Sequence, residues 1–233
     1  MKRQKIIYAL ILILFFTFIG SYIIDNPYTG FSLFNNENNH HNNNTFNLAN
    51  QEKTIESTFG VGSGIVWPDR YFAPFVDITT WVSDSKYSSN GSLDLVRMYN
   101  DTGVPFYNVG FIGSSRDNYS LVEGQFGPMI DWTFGGYGVL SERSSDKWQY
   151  NGIKNSIKGL RALGGDVTIS VGGGIEYMNF FQRTQDVEIL KNTYLDIIYG
   201  FGLTKLDLDI EGLGQGKSIN VANAKAIKMV QDI

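Results

Sequence analysis

Three carboxylates alternate with three aliphatic residues between Lys205 and Gly212. A β-strand points successive side chains to opposite faces, so we expect Asp207, Asp209 and Glu211 to form one row. Acidic residues are poor strand formers, and like charges in a row repel one another. Such a row is typical either of a solvated edge strand or of a site that uses several carboxyl groups for acid catalysis.

A second motif lies about forty residues earlier and ends in glycine. Residues 167–171 have the β-branched composition of a strand, and this strand runs into Gly172, Gly173 and Gly174. Glycine at a strand end lets the backbone approach a ligand closely, although a purely structural turn uses glycine as well. The motif alone therefore leaves both interpretations open.

Together the two stretches resemble the motifs of family 18 glycoside hydrolases, the chitinase family. The family's Ser-x-Gly-Gly strand end is matched by residues 170–173, and its Asp-x-x-Asp-x-Asp-x-Glu strand by residues 204–211. Thr204 stands where the family has its first Asp, which affects a supporting position only. The resemblance covers residues 70–212 loosely and the two motifs tightly.

The resemblance implies a catalytic role for each member of the acidic row. Glu211 would be the general acid that protonates the glycosidic oxygen, and Asp209 would share a proton with Asp207 and Glu211. Asp209 would then hold the N-acetyl group of the substrate, whose carbonyl oxygen attacks the anomeric carbon. The implied activity is retaining, substrate-assisted hydrolysis of chitin or a similar N-acetylglucosamine polymer. Repulsion between neighbouring carboxyl groups favours retention of the shared proton.

Aromatic residues near the predicted strand ends could stack on sugar rings, although aromatic residues also serve core packing. One of them, Trp132, lies in a Trp-Thr-Phe-Gly-Gly stretch that resembles a loop of some bacterial chitinases. The residues expected to contact the substrate are Ser170, Gly172, Gly173, Trp81, Trp132 and Tyr177.

Strand and helix patterns alternate along the folded part of the chain. Strands are predicted over residues 71–81, 104–112, 167–171 and 205–210, and helices over residues 92–100, 153–163, 186–199 and 222–230. Residues 113–150 are predicted to form a long loop. The alternation implies an α/β fold with a parallel sheet, and the resemblance implies a (β/α)8 TIM barrel. About four strand-helix units fit, so residues 59–233 are expected to be the front half of a catalytic barrel.

The first 58 residues differ in composition from the rest. Residues 1–24 contain a basic start and a long apolar run, which indicates a signal-anchor or a signal peptide. Residues 25–58 are rich in asparagine and are predicted to be a disordered linker. We therefore expect an exported catalytic domain that is anchored to a membrane or secreted.

Composition excludes several other classes of site. The chain has 233 residues, a net charge of −4 and no cysteine. It therefore cannot form disulfides or a thiolate nucleophile, and neither nucleic acid binding nor a cofactor is expected. His40 and His41 are the only histidines and lie in the asparagine tract, so no metal site is expected.

Three alternative functions share most of these features. A chitin-binding or glycan-binding lectin could use the same barrel after loss of the acid, but Glu211 is present. An endo-β-N-acetylglucosaminidase acting on glycoproteins or peptidoglycan would use the same acidic strand. An inactive fragment would keep the motifs without activity.

Overall fold

The computed structural model describes residues 55–79, 85–89, 91–116, 119–174, 182–211 and 216–233. The predicted membrane segment and residues 25–54 of the predicted linker lie outside the described residues. None of the described helices combines the length and the apolar character that a membrane span requires.

The described residues form nine strands and four α-helices. The strands are β1 (Phe75–Asp77), β2 (Ser88–Ser89), β3 (Ser92–Leu93), β4 (Phe106–Ser114), β5 (Leu121–Gly124), β6 (Gly127–Ile130), β7 (Trp132–Phe134), β8 (Asp166–Gly172) and β9 (Leu206–Asp209). The α-helices are α1 (Leu95–Thr102), α2 (Trp148–Ala162), α3 (Val187–Phe201) and α4 (Lys217–Gln231). Two short 3₁₀ helices occupy Ser85–Tyr87 and Gly138–Leu140.

The central sheet contains four parallel strands whose order in space follows their order in the chain. Strand β1 pairs with β4, β4 with β8, and β8 with β9, and each pair is parallel. A helix lies in each connection, with α1 before β4, α2 before β8 and α3 before β9. The predicted α/β fold with a parallel sheet is therefore confirmed.

The two faces of this sheet differ in chemistry because side chains alternate along each strand. Paired residues across the four strands form an apolar row of Val76, Val109, Ile169 and Leu206. This row belongs to the core, together with buried side chains of the helices such as Ile157, Leu160, Ile197 and Phe201. The opposite face carries small and polar residues, among them Asn108, Thr168, Ser170, Gly172, Asp207 and Asp209.

Caps define the ends of α1 and α3. The side chain of Asp94 accepts a hydrogen bond from the backbone N–H of Arg97 at the start of α1. Asp186 caps α3 in the same way, which stabilises the otherwise unpaired N–H groups of a first turn. Both helices end at a glycine with positive φ, Gly103 and Gly202.

The prediction of a long loop over residues 113–150 was wrong. Strands β5 and β6 form an antiparallel hairpin, and β7 pairs antiparallel with the end of β4. These strands have only three or four residues each and include glycine and proline, so their alternation is too short to identify them from sequence. Of the predicted strand over residues 71–81, the structure describes residues 71–79, and within these only Phe75–Asp77 pair with β4. Pro74 lies just before them and has no N–H to donate.

The hairpin packs against polar side chains of α3. Thr193 accepts a hydrogen bond from the backbone N–H of Ile130 at 3.1 Å, and Asn192 donates one to the carbonyl of Pro128 at 3.0 Å. These bonds satisfy polar groups that burial would otherwise penalise. Helix α3 consequently packs against the hairpin, and it also packs against α4.

A buried ion pair lies at the N-terminal end of β8. The guanidinium Nε of Arg161 is 2.8 Å from Oδ1 of Asp166, and the two side chains are 6% and 0% exposed. Oδ2 of Asp166 also accepts hydrogen bonds from the backbone N–H of Ile65 at 3.1 Å and from the indole of Trp67 at 2.9 Å. The carboxylate therefore connects the chain before β1 with the sheet.

Arg161 extends this connection to the end of α3. Its Nη1 donates at 2.6 Å to the carbonyls of both Gly62 and Phe201. Nearby, Ser57 donates a hydrogen bond to the carbonyl of Gly200. Residues 57–67 are thus bound to the N-terminal end of the sheet and to α3, so the folded part includes residue 57.

Candidate functional site

The two sequence motifs meet at the C-terminal ends of β8 and β9. Ser170 pairs with Asp207 in the register, and its hydroxyl donates a hydrogen bond to Oδ2 of that residue at 2.6 Å. Gly172 pairs with Asp209, and the backbone N–H of Gly173 donates to the carbonyl of Asp209 at 2.9 Å. The structure thus brings together the serine, the two glycines and two of the carboxyl groups.

Backbone geometry explains the first two glycines of the motif. Gly172 and Gly173 have φ values of 118° and 103°, which side chains of L-residues rarely allow. A methyl group added at Gly173 would also lie 3.3 Å from Cγ of Phe111. Both glycines are therefore required by the turn itself, whether or not a ligand approaches them.

Exposure increases along the acidic row. Asp207 and Asp209 are partly buried, whereas Glu211 is exposed. The row therefore runs from the polar face of the sheet out to solvent, with Glu211 where a ligand could reach it. A reactive group at the accessible end and supporting groups behind it are suited to proton transfer.

Two carboxyl groups of the row are held towards their neutral form. Burial raises the pKa of Asp209 to about 6, and repulsion by Glu211, a hydrogen bond with Glu211 and repulsion by Asp207 act in the same direction. Burial also raises the pKa of Asp207, while the hydrogen bond from Ser170 opposes that change. Repulsion within the row was predicted from the sequence, but burial has the larger effect on Asp209.

This raised pKa makes stability depend on pH. Folded Asp209 binds its proton more tightly than it would in the unfolded chain, where the pKa of an Asp is about 3.9. We therefore expect the free energy of unfolding to fall as the pH rises from about 4 to about 6. In Asp209→Asn, the free energy of unfolding should fall less over this pH range, as measured by urea unfolding at several pH values. The control Asp69→Asn, at an exposed position, should leave it unchanged. If the free energy of unfolding of Asp209→Asn depended on pH as strongly as that of the wild type, the raised pKa of Asp209 would be contradicted.

An aromatic pair that sequence reasoning missed lies near the same strand ends. The rings of Phe75 and Phe111 are stacked, with centroids 6.3 Å apart and an interplanar angle of 13°. Phe75 is 56% exposed, and Phe111 lies against Gly173. The predicted strand over residues 104–112 already placed Phe111 near a strand end, which was the available signal.

Trp132 does not belong to the site, contrary to the prediction. Its side chain is fully buried, and its indole donates a hydrogen bond to Oδ2 of Asp196 at 2.8 Å. The ring packs beside Phe59, Phe134 and Phe201. Trp132 is therefore a core residue whose ring faces are covered by the protein and cannot stack on a sugar.

Two other predicted contacts, Trp81 and Tyr177, lie outside the described residues. No group of His, Cys, Asp or Glu side chains within the described part of the chain could hold a metal ion. The groups that the described site offers for chemistry are the carboxyl groups of Asp207, Asp209 and Glu211 and the hydroxyl of Ser170.

Comparison with known proteins identifies chitinases as relatives. The chain is 29% identical over 168 residues to the probable bifunctional chitinase/lysozyme of Escherichia coli K12. It is 27% identical over 167 residues to endochitinase 11 of Metarhizium anisopliae. Each match covers 71% of this chain but only 16% and 26% of the two relatives, so the chain spans a small part of their length. No protein-family model matches the chain.

The fold also occurs in a chitinase of known structure. Catalytic-site mutants of active domain 2 of the thermostable chitinase from Pyrococcus furiosus, complexed with chito-oligosaccharides, align with a TM-score of 0.50. The alignment has 24% sequence identity and covers 71% of this chain and 43% of that chain. This similarity concerns the arrangement of strands and helices, which is shared with a chitinase catalytic domain.

Proposed function

Because its relatives are chitinases, we propose that this protein is a glycoside hydrolase that cleaves β-1,4-linked N-acetylglucosamine polymers. The observation that carries the proposal is the acidic row that begins in β9, anchored through Asp207 to Ser170 at the end of the adjacent strand. A sugar polymer whose N-acetyl group lies beside Asp209 would place its glycosidic oxygen towards the exposed Glu211.

Glu211 is the general acid in this proposal. It is the most exposed member of the row and shares a hydrogen bond with Asp209. Its proton passes to the glycosidic oxygen as the bond to the anomeric carbon breaks, and its carboxylate then activates the water that completes hydrolysis. Both steps require a carboxyl group that a substrate can reach.

Asp209 orients the substrate in the same reaction. Its partly buried carboxyl group, with a pKa of about 6, can hold a proton near neutral pH and can accept a hydrogen bond from the N–H of an N-acetyl group once ionised. The acetyl oxygen would then attack the anomeric carbon, which gives net retention of configuration. Asp207 supports this arrangement because its repulsion helps to raise the pKa of Asp209.

We further propose that the parallel sheet is the front half of a (β/α)8 barrel. The four parallel strands follow one another in chain order, as barrel strands do. Among the described residues, β1 and β9 each pair along only one edge with this sheet. The acidic row lies at the C-terminal strand ends, where barrel enzymes carry their active sites. Residues 1–24 would direct the protein to export.

Peptidoglycan is the second candidate substrate, since the name of the E. coli relative includes lysozyme. Peptidoglycan hydrolysis would use the same acid and the same N-acetyl group. The two candidates differ in the polymer presented to the site and can be separated by parallel assays.

The test is an assay of the full protein with chito-oligosaccharides and, separately, with purified peptidoglycan. Mass spectrometry identifies the products, and proton NMR identifies the anomer that forms first. We expect chito-oligosaccharide cleavage with the β-anomer appearing first. Cleavage of peptidoglycan alone would favour the second candidate. Absence of hydrolysis with both polymers would refute the proposed function.

A further inference from the structure

Gly174, which follows the Ser-x-Gly-Gly motif, lies directly against the carboxyl group of Glu211. A methyl group built at Gly174 would lie 3.3 Å from Oε2, 3.6 Å from Oε1 and 3.7 Å from Cδ of Glu211. These are the three nearest atoms to that position among the described residues. A side chain at position 174 would therefore occupy the space directly beside the carboxyl group of Glu211.

The backbone at Gly174 does not itself require glycine. Gly172 and Gly173 have φ values of 118° and 103°, whereas the φ of Gly174 lies outside the left-handed region. A left-handed backbone conformation therefore does not explain glycine at this position. Gly174 thus differs from Gly172 and Gly173, because the carboxyl group of Glu211, and not a left-handed φ, disfavours a side chain there.

We infer that Gly174 is a positioning residue, whose missing side chain lets the carboxyl group of Glu211 lie close to the backbone and within hydrogen-bond reach of Asp209. This inference rests on the proposed function, in which Glu211 is the acid. A side chain at 174 would push the carboxyl group away, and small displacements of a catalytic group are costly.

The expected effect on catalysis is graded with side-chain size. Gly174→Ala should lower kcat for chito-oligosaccharides several-fold, because the carboxyl group must move by a few tenths of an ångström. Gly174→Val should lower kcat by about tenfold to a hundredfold, with KM changed by less than about twofold. Gly138→Ala is the matched control, since a methyl group there meets no atom within 4 Å and the φ is also ordinary. It should leave kcat unchanged.

A second measurement does not depend on activity. Among the described residues, the charged groups that act on Asp209 are Glu211 and Asp207 on its own segment, while the paired strand β8 presents Gly172 opposite Asp209. Moving Glu211 away removes its repulsion and its hydrogen bond, so the pKa of Asp209 should fall below about 6. Carbon-13 NMR of the side-chain carboxyl groups, recorded between pH 3 and 8, would follow this titration in each variant.

The two measurements separate the possible failures. Unchanged titration of Asp209 in Gly174→Val would overturn the inference, whatever happens to kcat. Wild-type kcat in Gly174→Val would overturn it as well. If the wild-type protein cleaves neither polymer but the titration shifts in both Gly174 variants, the contact is upheld and the proposed function fails. A thermal unfolding midpoint within a few degrees of wild type ensures that each variant is folded.

Discussion

Replacement of Glu211 by Gln is expected to abolish cleavage of chito-oligosaccharides and to preserve their binding. The amide has nearly the shape of the carboxyl group but cannot deliver a proton to the glycosidic oxygen. Loss of a general acid costs about 10²- to 10⁴-fold in rate. The value of kcat from product formation, and the dissociation constant from calorimetry with the same oligosaccharide, would measure the two effects separately.

Glu123→Gln is a suitable control, because Glu123 is an exposed residue of the hairpin and lies on a different sheet from the acidic row. It should change neither kcat nor binding. Persistent hydrolysis in Glu211→Gln would show that another group supplies the proton. Asp209, with its pKa of about 6, would then be the next candidate for the acid.

The parallel strands nearest the site could be predicted well from the sequence. Strand β8 was predicted over residues 167–171 and occupies Asp166–Gly172, and β9 was predicted over residues 205–210 and occupies Leu206–Asp209. Both strands have a strong sequence pattern. Strand β8 is rich in β-branched residues and is buried throughout, and β9 alternates acidic with aliphatic residues. A pattern of this strength arises from burial of a whole strand face and does not depend on distant partners.

Features that depend on distant partners could not be predicted. Whether Trp132 stacks on a sugar or lies in the core is decided by Asp196, which is 64 residues away in sequence and accepts its indole hydrogen bond. The likeness of the Trp-Thr-Phe-Gly-Gly stretch to a loop of some bacterial chitinases contains no information about this partner. Phe111 was missed for a related reason, since its contacts with Phe75 and Gly173 come from two other segments.

The same limit applies to the size of electrostatic effects in the acidic row. The sequence shows that Asp207, Asp209 and Glu211 alternate, and repulsion between them follows from spacing alone. Burial, which has the largest effect on the pKa of Asp209, is set by the packing of the sheet. Spacing thus predicts the direction of the change, and only the folded environment determines which carboxyl group is affected most.

The largest stability effect is expected at Arg161, far from the acidic row. Arg161→Met should lower the free energy of unfolding by about 3–5 kcal/mol, because it leaves the carboxylate of Asp166 buried without its cation. It also leaves the carbonyls of Gly62 and Phe201 without this donor. Urea unfolding followed by tryptophan fluorescence would measure the loss.

Removing both charges should cost less than removing one. Asp166→Asn in the Arg161→Met background replaces the unpaired carboxylate by a neutral amide, which can still accept from Ile65 and Trp67. We therefore expect the double variant to be more stable than Arg161→Met alone, because a buried charge without its partner destabilises a protein more than a buried neutral group does. Arg70→Met, at an exposed position, serves as the control and should change stability by less than about 0.5 kcal/mol. Equal losses in Arg161→Met and Arg70→Met would mean that the ion pair does not hold residues 62–67 against the sheet.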